Sequence, residues 1–375
     1  MSFLVAWVAA VLVAVIRSPH CDRETHCDRE IFWGWCRWCL LGACAPVAAL
    51  LLAAWVWAPA LSAGFVYEDT AWNRSAGWIA LRPRVLMSAS WWLQAHVTPE
   101  LWAFHAVNVA LHLTVSALVG LLAARLGGSR VAAVVAAWLM LVHPMTVEAV
   151  AYLSSRTELF AALGVVAACV LAASGRYVFA GMALLFGLAS KETASIGFVL
   201  VPVTVWLAPR RAGLAHITSG LVAIVAALAT LALCLWMRNV GEDSPGQVMG
   251  GTWLLLQASA VVRLLLSTLL FGFGQTVDFD YDLVPTAWRW GAIVLLLGLA
   301  EVTWRLWRRP RASLVAFGLV WAFVVIIPRL IVQTPRSYFN EHQWYLALPG
   351  LAIAAAAGVD VWIARRRKRV NECQA

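Results

Sequence analysis

Along nearly the whole chain, long apolar runs alternate with short polar turns. The runs are about 15–23 residues long, enough for a helix to cross a hydrocarbon core about 30 Å thick. They predict spans at Trp38 to Leu61, Leu101 to Leu122, Val131 to Val147, Leu159 to Ala173 and Tyr177 to Ala189. Further spans follow at Phe198 to Ala208, Leu214 to Trp236, Trp290 to Leu299, Leu314 to Val332 and Trp344 to Ala364. No short alternating strands of the kind that build a membrane β-barrel are visible. The expected fold is an all-α polytopic membrane protein of about ten or eleven transmembrane helices, with interfacial helices on its outer face. Residues 1–37 form an N-terminal segment that is an extra helix or a mis-called start, 38–364 the transmembrane domain, and 365–375 a basic cytoplasmic tail.

Two stretches break the pattern. Thr70 to Pro99 is mixed, and its Trp91-Trp92 pair predicts an interfacial helix with rings at headgroup level. Trp253 to Phe273 is apolar but carries Arg263 in its middle. Crossing there would invert the helices that follow, so a re-entrant or flat placement at the outer interface is expected, with Arg263 snorkelling.

Composition agrees with a membrane protein. Hydrophobic residues make up 62% and charged residues 13%, with mean hydropathy +0.80, a balance foreign to soluble domains. The net charge of +9 sits mainly in short loops such as Arg210-Arg211, Arg305 to Arg311 and Arg365 to Arg369. That is the positive-inside pattern, and it argues against a nucleic-acid partner. The eight cysteines form no disulfide framework. Cys36 and Cys39 make a lone CxxC beside a short tandem repeat, His20-Cys21-Asp22-Arg23-Glu24 and His26-Cys27-Asp28-Arg29-Glu30.

With this topology the remaining polar residues gather at the outer ends of the spans. Glu68, Asp69 and Arg82 lie in the first outer loop, and His143, Glu148, Arg156 and Glu158 in the second. Lys191 and Glu192 follow in the third, and Arg336, Glu341, His342 and Tyr345 in the last. His105, Asn108 and His112 are spaced to share one helix face. Ionisable groups at membrane level are costly and face a cavity or one another, so an outward polar cavity is expected. Plainer readings exist for each group. The His105 face suits hydrogen bonding between helices, and Glu148, Arg156 and Glu158 suit a structural ion-pair network.

This order of motifs resembles the GT-C class of membrane glycosyltransferases. It is closest to the transmembrane O-mannosyltransferases that bear tetratricopeptide repeats, here without the repeats. The resemblance rests on Glu68-Asp69, Arg82-Pro83, the His105/Asn108/His112 face, His143-Pro144 with Glu148, Arg156-Thr157-Glu158, Lys191-Glu192, Asp278-Phe279-Asp280-Tyr281 and Glu341-His342 with Tyr345. His342 departs from the family's usual Arg.

The resemblance implies inverting transfer of a mannose-like sugar from a polyprenyl- or dolichyl-phosphate carrier to a hydroxyl acceptor. Glu68 or Asp69 would be the general base, and Arg156, Lys191, Arg336 and His342 would hold the donor phosphate. Arg82, His105, Asn108, His112, His143, Glu148, Glu158, Glu192, Glu341 and Tyr345 would line the substrate cavity. No cofactor is specified, and a divalent cation stays open, since paired acids can serve as base or as ligands. The implied partners are the lipid-phosphate-linked sugar, a protein or glycan acceptor and membrane lipid. The implied location is a bacterial inner (plasma) membrane, with the active site on the outer, periplasmic side. The rival readings are a transporter or flippase of lipid-linked intermediates and a noncatalytic membrane subunit. A transporter should show internal repeats with broken helices, and none is evident.

Overall fold

A computed structural model describes residues 51, 54–64, 85–208, 251–275, 284–309, 312–326 and 341–374, and these are helical almost throughout, with no strand among them. From Trp55 onward they belong to one compact unit. The helices, in order, are α1 (Val85–Val97), α2 (Leu101–Arg125), α3 (Arg130–Val142), α4 (Arg156–Ala173) and α5 (Tyr177–Ser190). They continue with α6 (Gly197–Leu207), α7 (Gly251–Leu269), α8 (Thr286–Trp307), α9 (Ser313–Val324) and α10 (Leu348–Gln374).

Four stretches among the described residues are long and apolar enough to cross a membrane: Leu101–Arg125, Leu153–Ala173, Thr286–Trp307 and Glu341–Arg366. The pair formed by α3 and Pro144–Ala151, bent by 57°, passes the same test together, as a broken span or a re-entrant loop. The protein is therefore an all-α, integral, multi-pass membrane protein. Tyr177–Ser190, Glu192–Leu207, Leu254–Leu269 and Ser313–Val324 are shorter apolar helices. The predicted span Leu214 to Trp236 and most of the one from Trp38 lie outside the described residues.

The bend has a local cause. Pro144 has no N–H to donate and disfavours a helical residue before it. His143 accordingly leaves the helix, with φ −69° and ψ 127°. Its Nδ1 then accepts from the N–H of Met145 (3.1 Å), which starts the next helical turn.

The core is built around α4. Its apolar side chains are covered on nearly every side, and Leu159, Val165, Val166 and Cys169 are fully buried. Close helix contact is set by small residues, as is common where packing rather than hydrophobicity brings helices together in lipid. A Cβ on Gly164 of α4 would lie 2.6 Å from the Cα of Gly187 on α5. Gly318 of α9 and Gly350 of α10 meet in the same way. By contrast α8 is peripheral and leaves Trp288, Trp290, Val294 and Leu297 exposed.

The two ends of the bundle differ. At one end Arg125, closing α2, donates to Ser174 just past α4 (2.9 Å). Asp360 of α10 accepts there from the N–H (2.9 Å) and the hydroxyl (2.5 Å) of Ser129, the cap of α3. Trp206 of α6 stacks on Trp307, which closes α8 (5.2 Å). This end carries exposed arginines. The other end, where α2 and α4 begin and α7 closes, carries the polar residues singled out in the sequence.

Substituting Gly164→Ala should overpack the α4–α5 contact and cost about 1–3 kcal/mol. Gly298→Ala on α8, where an added Cβ meets nothing within 4 Å, should cost nothing and raise helix propensity by up to about 1 kcal/mol. Thermal unfolding midpoints in detergent, compared with wild type, check both.

Candidate functional site

The polar face of α2 forms as its spacing predicts. His105, Asn108 and His112 are all fully buried. Carbonyl oxygens can only accept, so the partners fix which ring nitrogen carries the proton. His112 donates from Nε2 to the Leu141 carbonyl (3.2 Å), and Nδ1 is bonded to the Tyr345 hydroxyl (2.8 Å). His105 donates from Nε2 to the Ala63 carbonyl (3.0 Å). Asn108 donates to the Val150 carbonyl (3.2 Å), and its Oδ1 accepts from Arg156 Nε (2.8 Å).

Arg156 has no accessible surface. Its Nη1 donates to Ser90 (3.2 Å) and Gln94 (3.0 Å) of α1, and Nη2 to the Phe104 carbonyl (2.9 Å). The rings of Trp91 and Phe104 lie 5.7 and 5.8 Å from the guanidinium carbon. Every one of these partners is neutral. The fork that a phosphate would grip is thus engaged inside the protein, joining α1, α2 and α4.

Lys191 behaves in a similar way. Its ammonium donates to Glu158 Oε1 at 2.5 Å, and both side chains are shielded from solvent. Glu192 opens the 3₁₀ turn Glu192–Ile196 and is half-buried.

A second cluster is more open. Glu148, on the short helix Val147–Ala151, accepts from both Nδ1 and the backbone N–H of His342, each at 2.8 Å. His342 belongs to the short helix Glu341–Trp344. The side chains of His342 and Glu148 keep 16% and 18% of their surface, so the pair can be reached. Arg263 of α7 donates to Glu341 Oε1 (3.1 Å) and to the Gly274 carbonyl (3.0 Å). Trp344 donates to the Thr268 hydroxyl (2.9 Å), and His143 donates from Nε2 to the Thr268 carbonyl (3.0 Å). The C-terminal end of α7 is therefore fastened to the two short helices that present Glu148 and His342.

The structure brings together four pairs of predicted residues: Asn108 with Arg156, Glu158 with Lys191, His112 with Tyr345, and Glu148 with His342. Glu68, Asp69, Arg82 and Arg336 lie outside the described residues, as does Asp278 to Tyr281. Arg263 is a correction, because it is hydrogen-bonded into the cluster rather than snorkelling. The acceptors Ser90 and Gln94 were missed, although two polar residues four apart on an apolar helix are a readable signal.

Lys191→Met should leave Glu158 as an unpaired buried charge and lower stability by about 3–5 kcal/mol. The double variant with Glu158→Leu should recover most of that loss, again read as unfolding midpoints. Arg156→Lys should also destabilise, since one ammonium does not reproduce a planar fork with four acceptors.

No family model matches the chain, and no solved structure matches it. A curated relative is the heme A synthase of Maricaulis maris (strain MCS10), 27% identical over 186 residues, which are 46% of this chain and 51% of that protein. The chain thus spans about half the length of the curated relative it matches. This finding corrects the glycosyltransferase expectation, because the matched protein is named for heme A synthesis and not for sugar transfer. The motifs behind that expectation are pieces of two to four residues, or polar residues at helical spacing, too short to specify a reaction. Sugar transfer, its lipid-phosphate donor and its protein or glycan acceptor are set aside. So are the flippase and noncatalytic-subunit readings.

Proposed function

We propose that this membrane protein binds a heme-class ligand at the polar end of its bundle, with His342 as the ligating imidazole. The observation that carries the reading is the Glu148–His342 pair. A carboxylate oxygen holds Nδ1–H at 2.8 Å, so the neutral ring keeps its lone pair on Nε2. Metal-ligating histidines characteristically donate their other ring N–H to a carboxylate or carbonyl, which fixes tautomer and orientation. The similarity to a heme A synthase supplies the ligand class.

The other histidines of the cluster fit less well. His112 and His143 have both ring nitrogens hydrogen-bonded within the protein, and His105 is fully buried. Among the described residues no three His, Cys, Asp or Glu side chains gather as they would around a bare metal ion. A porphyrin brings four ligating nitrogens of its own and asks the protein for one or two. Bound there, the group would supply iron-centred redox chemistry. The chain's own part is to orient His342 through Glu148. The arginine-rich opposite end would face the cytoplasm. The site would then open on the outer side of a bacterial inner membrane.

Titrating hemin into the purified protein in detergent should give a saturable absorption band at one heme per chain. His342→Ala should remove it, and Glu148→Gln should weaken binding about 10–100-fold. His96→Ala, on the exposed face of α1, should leave it unchanged. No saturable band, or unaltered binding by His342→Ala, would overturn the reading.

A further inference from the structure

The arginine-bearing end of the bundle is unused by the proposed site. Arg125, Arg130, Arg308 and Arg366, from four different helices or their turns, are exposed there. Among the described residues three acids share this end, Asp360, Glu301 and Glu372, fewer than its arginines. Asp360 accepts from Ser129 at the start of α3, and Glu301 pairs with Arg305 one turn away at 2.7 Å. The end therefore carries an excess of positive charge.

Two of the cations are held on indole rings. Arg366 lies 4.4 Å from the centre of the Trp362 ring on α10, and Arg308 lies 4.7 Å from that of Trp304 on α8. Both tryptophans are half exposed. Indoles at the end of a membrane-spanning helix settle at headgroup level. A guanidinium laid over such a ring has its face covered, while its N–H edge stays free to point outward. That edge matches a phosphate in a bidentate way. The helix α10 also continues without a break through Arg365 and Arg369 to Gln374, so a row of cations is carried just beyond the span.

We propose that this end is a binding surface for anionic phospholipid headgroups, gripped by the Trp362–Arg366 and Trp304–Arg308 pairs. Basic groups immediately beyond a span attract acidic lipid, and the attraction falls off within a Debye length. The proposal does not depend on the heme reading.

The test compares the full chain in nanodiscs of phosphatidylcholine alone with nanodiscs containing phosphatidylglycerol. At about 0.05 M salt the unfolding midpoint should be about 3 °C or more higher with phosphatidylglycerol. At about 0.5 M salt most of that difference should vanish. Inorganic phosphate added to the phosphatidylcholine sample should not reproduce it. The double variant Arg308→Gln/Arg366→Gln should lose much of the lipid-dependent shift, while Arg305→Gln, already paired with Glu301, should keep it. Equal midpoints in the two lipids at low salt would overturn the proposal. So would a difference that survives high salt, or one that free phosphate reproduces. Because the salt comparison uses the wild-type chain, a variant that fails to insert does not remove the test.

Discussion

A charge taken out of water inside an apolar bundle must find partners or be expelled, and this cost organises the polar end of the protein. Arg156 is satisfied by Asn108, Ser90, Gln94 and the Phe104 carbonyl, which fixes α1 against α2 and α4. Glu158 Oε1 accepts from Lys191, which fixes the end of α5 against the start of α4, while its buried Oε2 has no hydrogen-bond partner among the described residues. These contacts are structural necessities before they are anything else. Removing one member of either contact leaves its partner stranded. Glu148 and His342 sit at the edge of this layer, where part of their surface remains open. Rigid support behind and access in front are what a binding group requires.

The helical fold was legible because long apolar runs have few alternatives to membrane helices. The shared face of His105, Asn108 and His112 was legible because spacing alone sets it. The span expected at Val131 to Val147 runs through Pro144, so the 57° bend departs from it, although proline's missing donor gives the cause. Pairing was not legible. Glu148 and His342 are 194 positions apart, and Arg263 and Glu341 are 78 apart. No local pattern encodes which distant charge answers which. Arg263 shows the limit well: its position in an apolar run announced a need for a partner, but not where that partner lay.

The expectation of sugar transfer failed for a related reason. Short motifs at span ends report that polar groups lie near one another, and among the described residues four pairs of them meet. They do not report whether those groups are free for a substrate or bonded to one another. Here Arg156 and Lys191, the groups most expected to meet a phosphate, are both engaged inside the protein. The plainer reading of an ion-pair network among Glu148, Arg156 and Glu158 does not hold either: Arg156 meets neutral acceptors, Glu158 meets Lys191 and Glu148 meets His342. Among the described residues the Glu148–His342 pair keeps part of its surface accessible.

The proposed ligation of heme iron by the His342 imidazole has one direct consequence. Chemical rescue tests it most directly: His342→Gly is purified, mixed with hemin, and then given free imidazole. The account predicts that the variant lacks the wild-type absorption spectrum and regains it as imidazole fills the vacated position. A variant that shows the wild-type spectrum before any imidazole is added would contradict the account.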